Sequence, residues 1–484
     1  MTKFSIQTLM HTSGVAFGTS GARGLVKDMT DKLCYAYTKT FLQEVAGQAD
    51  QVVLGHDLRP SSPAIAAACA VAMREMGYSV IYAGALPTPA LAYFASIIKS
   101  PCIVVTGSHI PFDRNGLKFY RADGEITKAD EVLMRAAMVD VPDEINPFTL
   151  EIVDQSASIA YVNRYVEFFG RSSLAGMRIA IYEHSSVARD ILHKILIGLG
   201  AEVLPLGRTE TFVPIDTEAV RLEDIEQAKT WAETHHFDAI LSTDGDGDRP
   251  LIADENGQWF RGDIVGILSA MYLKADTVVT PVSSNTAVEL CGSFKNVVRT
   301  KIGSPFVIVG MEQAISQSIV IGYEANGGFL LGSDVFRKNQ VLKALPTRDA
   351  VLPMLALLCM AREQGVALSK LSQNLPKRFT ASDRLQNFAI EKSERILGDL
   401  SRNLDISAKL LAPGAGDIVQ VNLIDGLRLA FANGEIVHLR FSGNAPELRC
   451  YTEAVTEAKA KLLCESALKY TFNLQKRYSK VRSY

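Results

Sequence analysis

The chain has 484 residues, a formal net charge of −3 and 48% apolar residues, which is the balance of an ordinary globular protein. This small charge gives no electrostatic reason to expect nucleic acid or an acidic membrane surface as a partner. No apolar run reaches the length of about eighteen residues that a membrane span needs, and the first residues lack a signal-peptide pattern. The seven cysteines are odd in number and form no Cys-x-x-Cys pair, so we expect reduced thiols and a cytoplasmic location.

The first polar signal along the chain is a glycine-rich stretch at residues 17–24, with Arg23 among its three glycines. Such a density of glycine predicts a tight turn or a close approach of backbone to a ligand. Arg23 is either a solvated side chain on a turn or a ligand for a phosphate group. The stretch alone does not decide between these two interpretations.

Residues 51–83 contain a predicted strand at 51–55, a predicted helix at 63–76 and a second strand at 79–83. This order indicates a β-α-β unit with a right-handed crossover. The same order of strand, polar cap, helix, strand, glycine and proline returns at 178–214 and again from residue 277. It predicts three α/β units built alike, although the same order is also usual in any α/β protein.

A candidate nucleophile follows the apolar run at 102–105, which predicts a buried strand. Residues 106–118 are interpreted as a loop at the carboxyl end of that strand, where ligands bind in open α/β sheets. Ser108 follows a glycine and precedes His109, and we expect the loop to fold Lys118 back toward it. An ordinary polar loop would account for this stretch taken alone.

The strongest chemical signal is the alternation of Asp244, Asp246 and Asp248 with glycines, directly after a predicted strand. Carboxylates held this close repel one another unless a cation lies between them, and hard oxygen ligands suit Mg²⁺. An EF-hand loop is the rival, since Glu255 stands at the twelfth position. That loop requires glycine at the sixth position, where Arg249 stands, and a helix before it. A solvated acidic turn is the remaining alternative to a metal site.

Two further loops carry polar groups. Glu324 and Asn326 lie on a glycine-rich loop after a predicted strand at 318–321. Their side chains could form hydrogen bonds with sugar hydroxyls, but an ordinary turn would account for the loop equally well. After about residue 372 the pattern changes to strands at 416–423, 427–431 and 437–440, followed by a helix at 453–473. A loop between Arg440 and Arg449 offers hydroxyl, backbone and guanidinium donors for an anion.

Together these loops resemble those of the α-D-phosphohexomutase family along the whole chain. Residues 106–118 look like its phosphoserine loop, 244–249 like its Mg²⁺ loop, 323–328 like its sugar-binding loop and 440–446 like its phosphate-binding loop. The resemblance implies an α/β fold of three similar domains with mixed sheets and a C-terminal α+β domain, arranged around a central cleft. The implied domains are a phosphoserine domain at 1–150, a metal-binding domain at 151–262, a sugar-binding domain at 263–372 and a phosphate-binding domain at 373–484.

The resemblance also implies a reaction, in which Ser108 carries a phosphoryl group and passes it to the free hydroxyl of a hexose 1- or 6-phosphate. The resulting 1,6-bisphosphate turns over and returns its other phosphate to Ser108, which isomerises the sugar phosphate. One Mg²⁺ per chain would be held by the three aspartates and an oxygen on Ser108, and hexose 1,6-bisphosphate would act as activator. Lys118 is the implied general acid and base.

The remaining implied roles concern binding. His109 would assist Lys118 or orient the loop, and Arg23 and Arg249 would steady the phosphoserine or Lys118. The sugar would be bound by Glu324, Asn326 and Gly327. The phosphate that is not reacting would be bound by Arg440, Ser442, Gly443, Asn444 and Arg449.

The sugar loop departs from the commonest family pattern, with Asn326 where many members have serine and Gly328 where many have histidine. In the phosphate loop, Asn444 and Ala445 replace a common Thr-Glu pair. The residue pattern of the sugar loop is similar to that of bacterial phosphomannomutases that supply GDP-mannose biosynthesis. The resemblance therefore implies interconversion of mannose 1-phosphate and mannose 6-phosphate. Glucose phosphate, or dual specificity, is the second choice and glucosamine phosphate the third.

Two other classes of protein could carry the same loops. A serine-dependent sugar phosphatase would release inorganic phosphate, whereas a mutase excludes water, and the complete phosphate-binding region favours the mutase. A non-catalytic phosphosugar-binding protein would be expected to lack Ser108 or one of the aspartates, and all are present. We expect a monomer or homodimer.

Overall fold

The computed structural model describes residues 2–18, 21–147, 150, 152–314, 318–388, 390–441 and 447–480. The chain divides into a large unit, Met1–Val278 with Met311–Gln373, and a small unit, Val279–Gly310 with Asn374–Tyr484. Within the described ranges, no helix combines the length and the apolar character that crossing a membrane requires.

The first region of the large unit contains a mixed sheet with helices packed against it and a separate two-stranded antiparallel sheet. Its elements are β1 (Thr2–Ser5), α1 (Ile6–Ser13), β2 (Ala16–Phe17), β3 (Ala22–Leu25), α2 (Asp31–Glu44), β4 (Gln51–His56), α3 (Ser62–Glu75), β5 (Ser79–Ala85), α4 (Thr88–Ile97), β6 (Cys102–Val105), β7 (Arg114–Arg121), β8 (Gly124–Glu125), α5 (Lys128–Ala136) and β9 (Met138–Val141). Strand β4 pairs in parallel with β5 and with β6, and β7 pairs antiparallel with β6. The predicted β-α-β unit at 51–83 is therefore confirmed.

The structure corrects the predicted loop at 106–118. Strand β7 begins at Arg114, so Lys118 lies on a strand opposite Val104 of β6 rather than on a loop. Asn115 and Gly116 resemble a turn signal, but the side chain of Asn115 is buried and donates to Ser61 and Ser62. Tertiary hydrogen bonds thus satisfy the polar residues that made this strand look like a loop.

A second region of the large unit repeats this plan. Its elements are α6 (Ser156–Phe169), β10 (Arg178–Tyr182), α7 (Arg189–Gly198), β11 (Glu202–Leu206), α8 (Leu222–Thr234), β12 (Ala239–Thr243) and β13 (Pro250–Ala253). Strand β10 is parallel to β11 and β12, and β13 is antiparallel to β12. The order β11-β10-β12-β13 therefore matches β5-β4-β6-β7. The serine loop after β6 and the acidic loop after β12 occupy equivalent positions in two similar sheets.

The third region follows with shorter elements. They are α9 (Gly262–Tyr272), β14 (Thr277–Pro281), α10 (Ala287–Leu290), β15 (Asn296–Thr300), α11 (Ser304–Ala314), β16 (Val320–Tyr323), β17 (Phe329–Leu331), β18 (Val335–Arg337), β19 (Gln340–Leu342), β20 (Leu345–Asp349) and α12 (Val351–Gln364). The helix expected after Ser283 to Asn285 has only four residues. Strands β16, β17 and β20 run antiparallel in that order, and the sugar loop connects β16 to β17.

The C-terminal part of the small unit has a different architecture, as predicted. Its elements are β21 (Phe379–Leu385), α13 (Ile390–Arg402), α14 (Leu404–Leu411), β22 (Ile418–Asn422), β23 (Leu427–Phe431), β24 (Ile436–Phe441), β25 (Leu448–Ala454) and α15 (Glu457–Lys480). The five strands form one antiparallel sheet in the order β21-β25-β24-β23-β22. The last helix begins at residue 457, not 453, because Glu453 belongs to β25, where its buried carboxylate pairs with Arg378.

Candidate active site

The acidic loop gathers three carboxylates at the end of β12. One oxygen each from Asp244, Asp246 and Asp248 lies within 4.8 Å of the other two, and all three residues are buried. Gly247 has φ of 72°, a left-handed backbone conformation that favours glycine and reverses the chain between two of the aspartates. The alternation seen in the sequence thus brings three carboxyl groups to one point.

The three carboxylates differ in their electrostatic surroundings. Burial, and then the neighbouring aspartates, raise the pKa of Asp244 well above its usual range. Burial would also raise the pKa values of Asp246 and Asp248, but Lys118 lowers the pKa of Asp246 and Arg348, followed by Lys118, lowers that of Asp248. The Oδ1 atoms of Asp246 and Asp248 are buried without a hydrogen-bond donor. A buried cluster with two unsatisfied carboxylate oxygens can bind a hard divalent cation such as Mg²⁺.

Strand β6 delivers Ser108 to this cluster. Its Oγ donates a hydrogen bond of 2.7 Å to Asp244 Oδ2 and lies 3.3 Å from His109 Nδ1. Ser108 has φ of 51°, an unusual value for a residue with a side chain, and its N–H donates to Thr106 Oγ1. A Cβ atom on Gly245 would lie 2.8 Å from the carbonyl oxygen of Ser108. The serine and acidic loops therefore approach closely only because residue 245 is glycine.

Strand β7 places Lys118 among the carboxylates. Its Nζ lies 2.6 Å from Asp246 Oδ2 and 2.7 Å from Asp248 Oδ2, and its side chain is 3% exposed. The lysine supplies one positive charge against three carboxylates, and it reaches them from β7 of the first sheet. Lys118 thus reaches the acidic cluster that Ser108 Oγ also contacts, and a strand rather than the predicted loop brings it there.

Two arginines and a histidine complete this centre. Arg249 donates from Nη1 to His109 Nδ1 at 3.0 Å, and Arg249 followed by burial lowers the pKa of His109 well below its usual range. Burial, with added repulsion from Arg249 and Arg348, lowers the pKa of Arg23 to about 10. The buried Nε atoms of Arg23 and Arg249 have no hydrogen-bond acceptor. Crowded guanidinium groups with unused donors suit an anionic ligand such as a phosphoryl group.

Sequence reasoning overlooked Arg59, which holds the backbone of the serine loop. Its guanidinium is buried and pairs with Asp57 at 3.2 Å. Its remaining N–H groups donate, over 2.6–3.0 Å, to the carbonyl oxygens of Ser108, Ile110, Pro111 and Arg114. Nothing near residue 59 in the sequence signals this role, because its carbonyl partners lie about fifty positions further along the chain.

The sugar loop brings Glu324, Asn326 and Gly327 together between β16 and β17. Glu324 and Asn326 are 4% and 9% exposed, and Asn326 Oδ1 accepts from the N–H of Gly328 at 2.9 Å. Gly327 has φ of 88°, which favours glycine at the turn. Sequence reasoning did not single out Arg348 on β20, whose Nη1 lies 3.4 Å from Glu324 Oε2.

The phosphate-binding residues predicted in the small unit are only partly described. Ser442, Gly443 and Asn444 lie outside the described residues. Arg440 on β24 stands opposite Arg449 on β25, which stands opposite Arg384 on β21. Directly opposed residues of antiparallel strands share a face, so these three arginines form one row, which we call the arginine row. Arg384 was not identified from the sequence, because its β21 strand had not been predicted.

Models of known families match all four regions of the chain. Models for phosphoglucomutase/phosphomannomutase α/β/α domains I, II and III match residues 14–137, 159–257 and 261–379, and the C-terminal domain matches 383–469. A phosphomannomutase of Salmonella muenchen is 45% identical over 469 residues, which is 96% of this chain and 97% of that protein. A phosphomannomutase of Sinorhizobium fredii is 41% identical over 453 residues, 91% of this chain and 95% of that protein.

Solved structures share the fold. A phosphoglucomutase/phosphomannomutase family protein from Burkholderia thailandensis superposes with a TM-score of 0.74 at 20% identity, over 95% of this chain and 97% of that chain. Aspergillus fumigatus N-acetylphosphoglucosamine mutase, solved with GlcNAc-6P and magnesium, has a TM-score of 0.58 at 12% identity, over 98% and 99%. The chain belongs to the phosphoglucomutase/phosphomannomutase family of mutases. The family and the fold class predicted from the sequence are confirmed.

Proposed function

We propose that this protein interconverts mannose 1-phosphate and mannose 6-phosphate through a phosphoserine and a hexose 1,6-bisphosphate. Relatives that share 45% and 41% of their residues with it are named phosphomannomutases. The observation that carries the proposal is the hydrogen bond of Ser108 Oγ to Asp244 at the edge of the acidic cluster. A serine hydroxyl held against a candidate metal site is the arrangement that phosphoryl transfer to and from serine requires.

The proposed reaction exchanges one phosphoryl group between two oxygens. The bond from phosphorus to Ser108 Oγ would break as a bond to the free sugar hydroxyl forms. Lys118, as the neutral amine, would take the hydroxyl proton, and Ser108 Oγ would leave as the alkoxide. In the second half, this alkoxide would attack the other phosphate of the bisphosphate, and the Lys118 ammonium would return its proton to the departing sugar oxygen. Lys118 is placed for this role because its Nζ lies within 2.7 Å of two aspartates of the cluster.

The acidic cluster is proposed to hold one Mg²⁺ through Asp244, Asp246 and Asp248, with an oxygen on Ser108 as a further ligand. When bound, the metal would neutralise charge on the transferring group. Arg23 and Arg249 would bind the anionic oxygens of the phosphoserine with donors that are unused in this structure. His109 would then orient the loop, since Arg249 holds its ring in the neutral form.

The groups that bind the sugar and the groups that bind phosphate are proposed for each unit by itself. Glu324, Asn326 and Gly327 would bind the sugar hydroxyls, and the arginine row would bind the phosphate that is not reacting. That phosphate site is proposed to contain Arg440, Ser442, Gly443, Asn444 and Arg449. Because the bisphosphate must be held in two orientations, this site recognises phosphate rather than a particular sugar. The proposed regions 1–150, 151–262, 263–372 and 373–484 would supply phosphoserine, metal, sugar and phosphate sites in that order.

We place the reaction in the cytoplasm, in a monomer or homodimer. All seven cysteines are free thiols in the structure, and only one of them is not buried. Free buried thiols are typical of a reducing compartment.

A ³¹P NMR time course tests this function. Purified protein with Mg²⁺ and a trace of hexose 1,6-bisphosphate receives mannose 1-phosphate in one tube and glucose 1-phosphate in another. We expect the 6-phosphate resonance to grow without inorganic phosphate, and faster in the mannose tube. Faster turnover of glucose phosphate would reassign the sugar, whereas growth of inorganic phosphate would contradict the mutase.

A further inference from the structure

Arg348 lies where two functional loops of the large unit meet. It is the fourth residue of β20, and its side chain is 4% exposed. Its Nη2 lies 2.9 Å from Asp248 Oδ2 in the acidic cluster, and its Nη1 lies 3.4 Å from Glu324 Oε2 in the sugar loop. One guanidinium therefore bridges a predicted metal ligand and a predicted sugar ligand that are 76 positions apart in the chain, 248 to 324.

The position of this guanidinium is fixed from behind by the next residue. Asp349 accepts a hydrogen bond of 2.6 Å from the Tyr161 hydroxyl, and the Tyr165 hydroxyl donates to its other oxygen. It also accepts from the N–H of Val351 at the start of α12. All of these groups are buried, so the end of β20 is held on several sides and Arg348 has little freedom to move.

The sugar loop is shaped around the same side chain. A Cβ atom on Gly328 would lie 2.6 Å from Cδ and 2.9 Å from Cγ of Arg348, too close for any real contact. The absence of a side chain at Gly328 therefore leaves the space that the arginine occupies. This explains in physical terms why residue 328 is glycine, although its backbone has no conformation reserved for glycine.

We propose that Arg348 is a positioning residue of the sugar site, which uses Asp248 as an anchor to hold the Glu324 carboxylate in the orientation that binds the hexose. The inference rests on the proposed sugar-binding role of Glu324. A guanidinium can hold two carboxylates at once because its donors point in fixed, diverging directions. Without it, the Glu324 carboxylate would lose its fixed direction.

A double-mutant cycle tests the inference by binding rather than by turnover. Mannose 1-phosphate is titrated calorimetrically, with Mg²⁺, into Ser108→Ala protein and into the same protein carrying Glu324→Gln, Arg348→Met or both. We expect each single change to weaken binding roughly tenfold, the size of one charged hydrogen bond. If Arg348 acts through Glu324, the double variant binds no worse than Glu324→Gln alone. Losses that multiply would overturn the inference.

Two further variants separate positioning from other roles. Arg348→Lys keeps the positive charge but offers a single ammonium group, so we expect it to bind mannose 1-phosphate as poorly as Arg348→Met. If Arg348→Lys bound the sugar phosphate as well as the parent protein, the arginine would only balance charge, and the inference would be overturned. Binding of Mn²⁺ alone, followed by electron paramagnetic resonance, should not weaken in Arg348→Met, because a cation has been removed beside Asp248. Loss of Mn²⁺ binding would place the effect in the metal site and contradict us.

The design distinguishes this inference from the proposed function. Arg362→Met on α12, whose guanidinium donates to the carbonyl of Ser173, is the matched control and should bind like the parent. Failure of the function would be seen in unmutated protein, as absent turnover of mannose 1-phosphate, and would overturn both. Failure of the inference alone would be seen only within the cycle, with turnover intact in the unmutated protein.

Discussion

The acidic centre of the large unit and the arginine row of the small unit both concentrate charge, but they do so differently. In the acidic centre, Lys118 and Arg348 are 3% and 4% exposed and each contacts two carboxylates. In the arginine row, Arg449 and Arg384 are 34% and 50% exposed and share the carboxylate of Glu447 at 3.4 and 3.6 Å. Removing one partner of a buried pair leaves an uncompensated charge, whereas exposed pairs contribute little and are screened by salt. We therefore expect large, salt-insensitive effects in the first region and smaller, more salt-sensitive effects in the second, except at Arg440, which is only 13% exposed and lies 3.3 Å from Asp425.

The largest effect is expected from Ser108→Ala. Without the hydroxyl that faces Asp244, no phosphoserine can form, and turnover should fall by a factor on the order of 10⁴ or more. A coupled assay of mannose 6-phosphate formation measures this loss. Ser96→Ala, which removes an exposed serine on α4, is the control and should keep full activity. Substantial activity in Ser108→Ala would show that the phosphoryl group is carried elsewhere.

Asp246→Asn tests the acidic cluster as a metal site. The change removes one of three charges and one unpaired oxygen, so we expect Mn²⁺ affinity to fall at least tenfold, with turnover falling in parallel. Asp254→Asn is the matched control, because Asp254 is also buried but accepts from two backbone N–H groups of its own turn. Equal loss of Mn²⁺ binding in both variants would contradict a site at the cluster.

Arg59→Lys tests whether the serine loop needs its arginine clamp. A lysine cannot replace four directed hydrogen bonds to backbone carbonyls, so kcat should fall roughly 10²-fold, as expected when a reacting group is displaced by about 1 Å. The KM for mannose 1-phosphate should change little, since Arg59 is not proposed to contact the sugar. Arg135→Lys, on the exposed end of α5, is the control. A change in KM alone would contradict the clamp.

The arginine row should respond in graded fashion. Arg440→Ala should raise KM roughly tenfold with little change in kcat, because it removes a charged hydrogen bond to the phosphate that does not react. Arg384→Ala should raise KM only a few-fold, since its side chain is half exposed. Raising the salt concentration should shrink the Arg384 effect most. A large fall of kcat in either variant would mean that the arginine row takes part in the chemical step. It would contradict the difference that we expect between the row and the acidic centre.

The smallest effect concerns acid stability, in which the two units should behave alike. Burial lowers the pKa of His184 in the large unit and of His438 in the small unit to about 4. An unfolded histidine titrates near 6.5, so between about pH 6.5 and 4 the unfolded chain binds protons that the folded chain does not. The free energy of unfolding should therefore fall as the pH falls through this window. Thermal unfolding of His438→Gln should show a weaker pH dependence than the parent; an unchanged dependence would contradict the assignment.

The loops that carry chemistry could be located from the sequence because their signals are local. The alternation with glycine identifies Asp244, Asp246 and Asp248 as a candidate metal site. Ser108 is identified by its position after a predicted buried strand. The structure brings these residues together with Lys118, Arg249 and His109, as expected. Their roles in the reaction stay proposals.

The residues that hold the site in place could not be found in the same way. Arg348 reaches Asp248 across one hundred positions, and Arg59 reaches the serine loop across about fifty. Neither lies in a stretch of unusual composition, so only the fold reveals their partners. The predicted boundaries of β7 and β25 were wrong for a related reason. Both strands carry polar residues whose partners lie far away in the sequence.

The central claim is that a phosphoryl group on Ser108 passes to a sugar and not to water. The most direct measurement is a chase experiment: protein labelled with ³²P on Ser108, verified by peptide mapping, is mixed with excess unlabelled mannose 1-phosphate and Mg²⁺, and the label is followed by chromatography. We predict that the label leaves the protein and appears in hexose bisphosphate and then in hexose monophosphate. Label released chiefly as inorganic phosphate, or retained on the protein, would contradict the account.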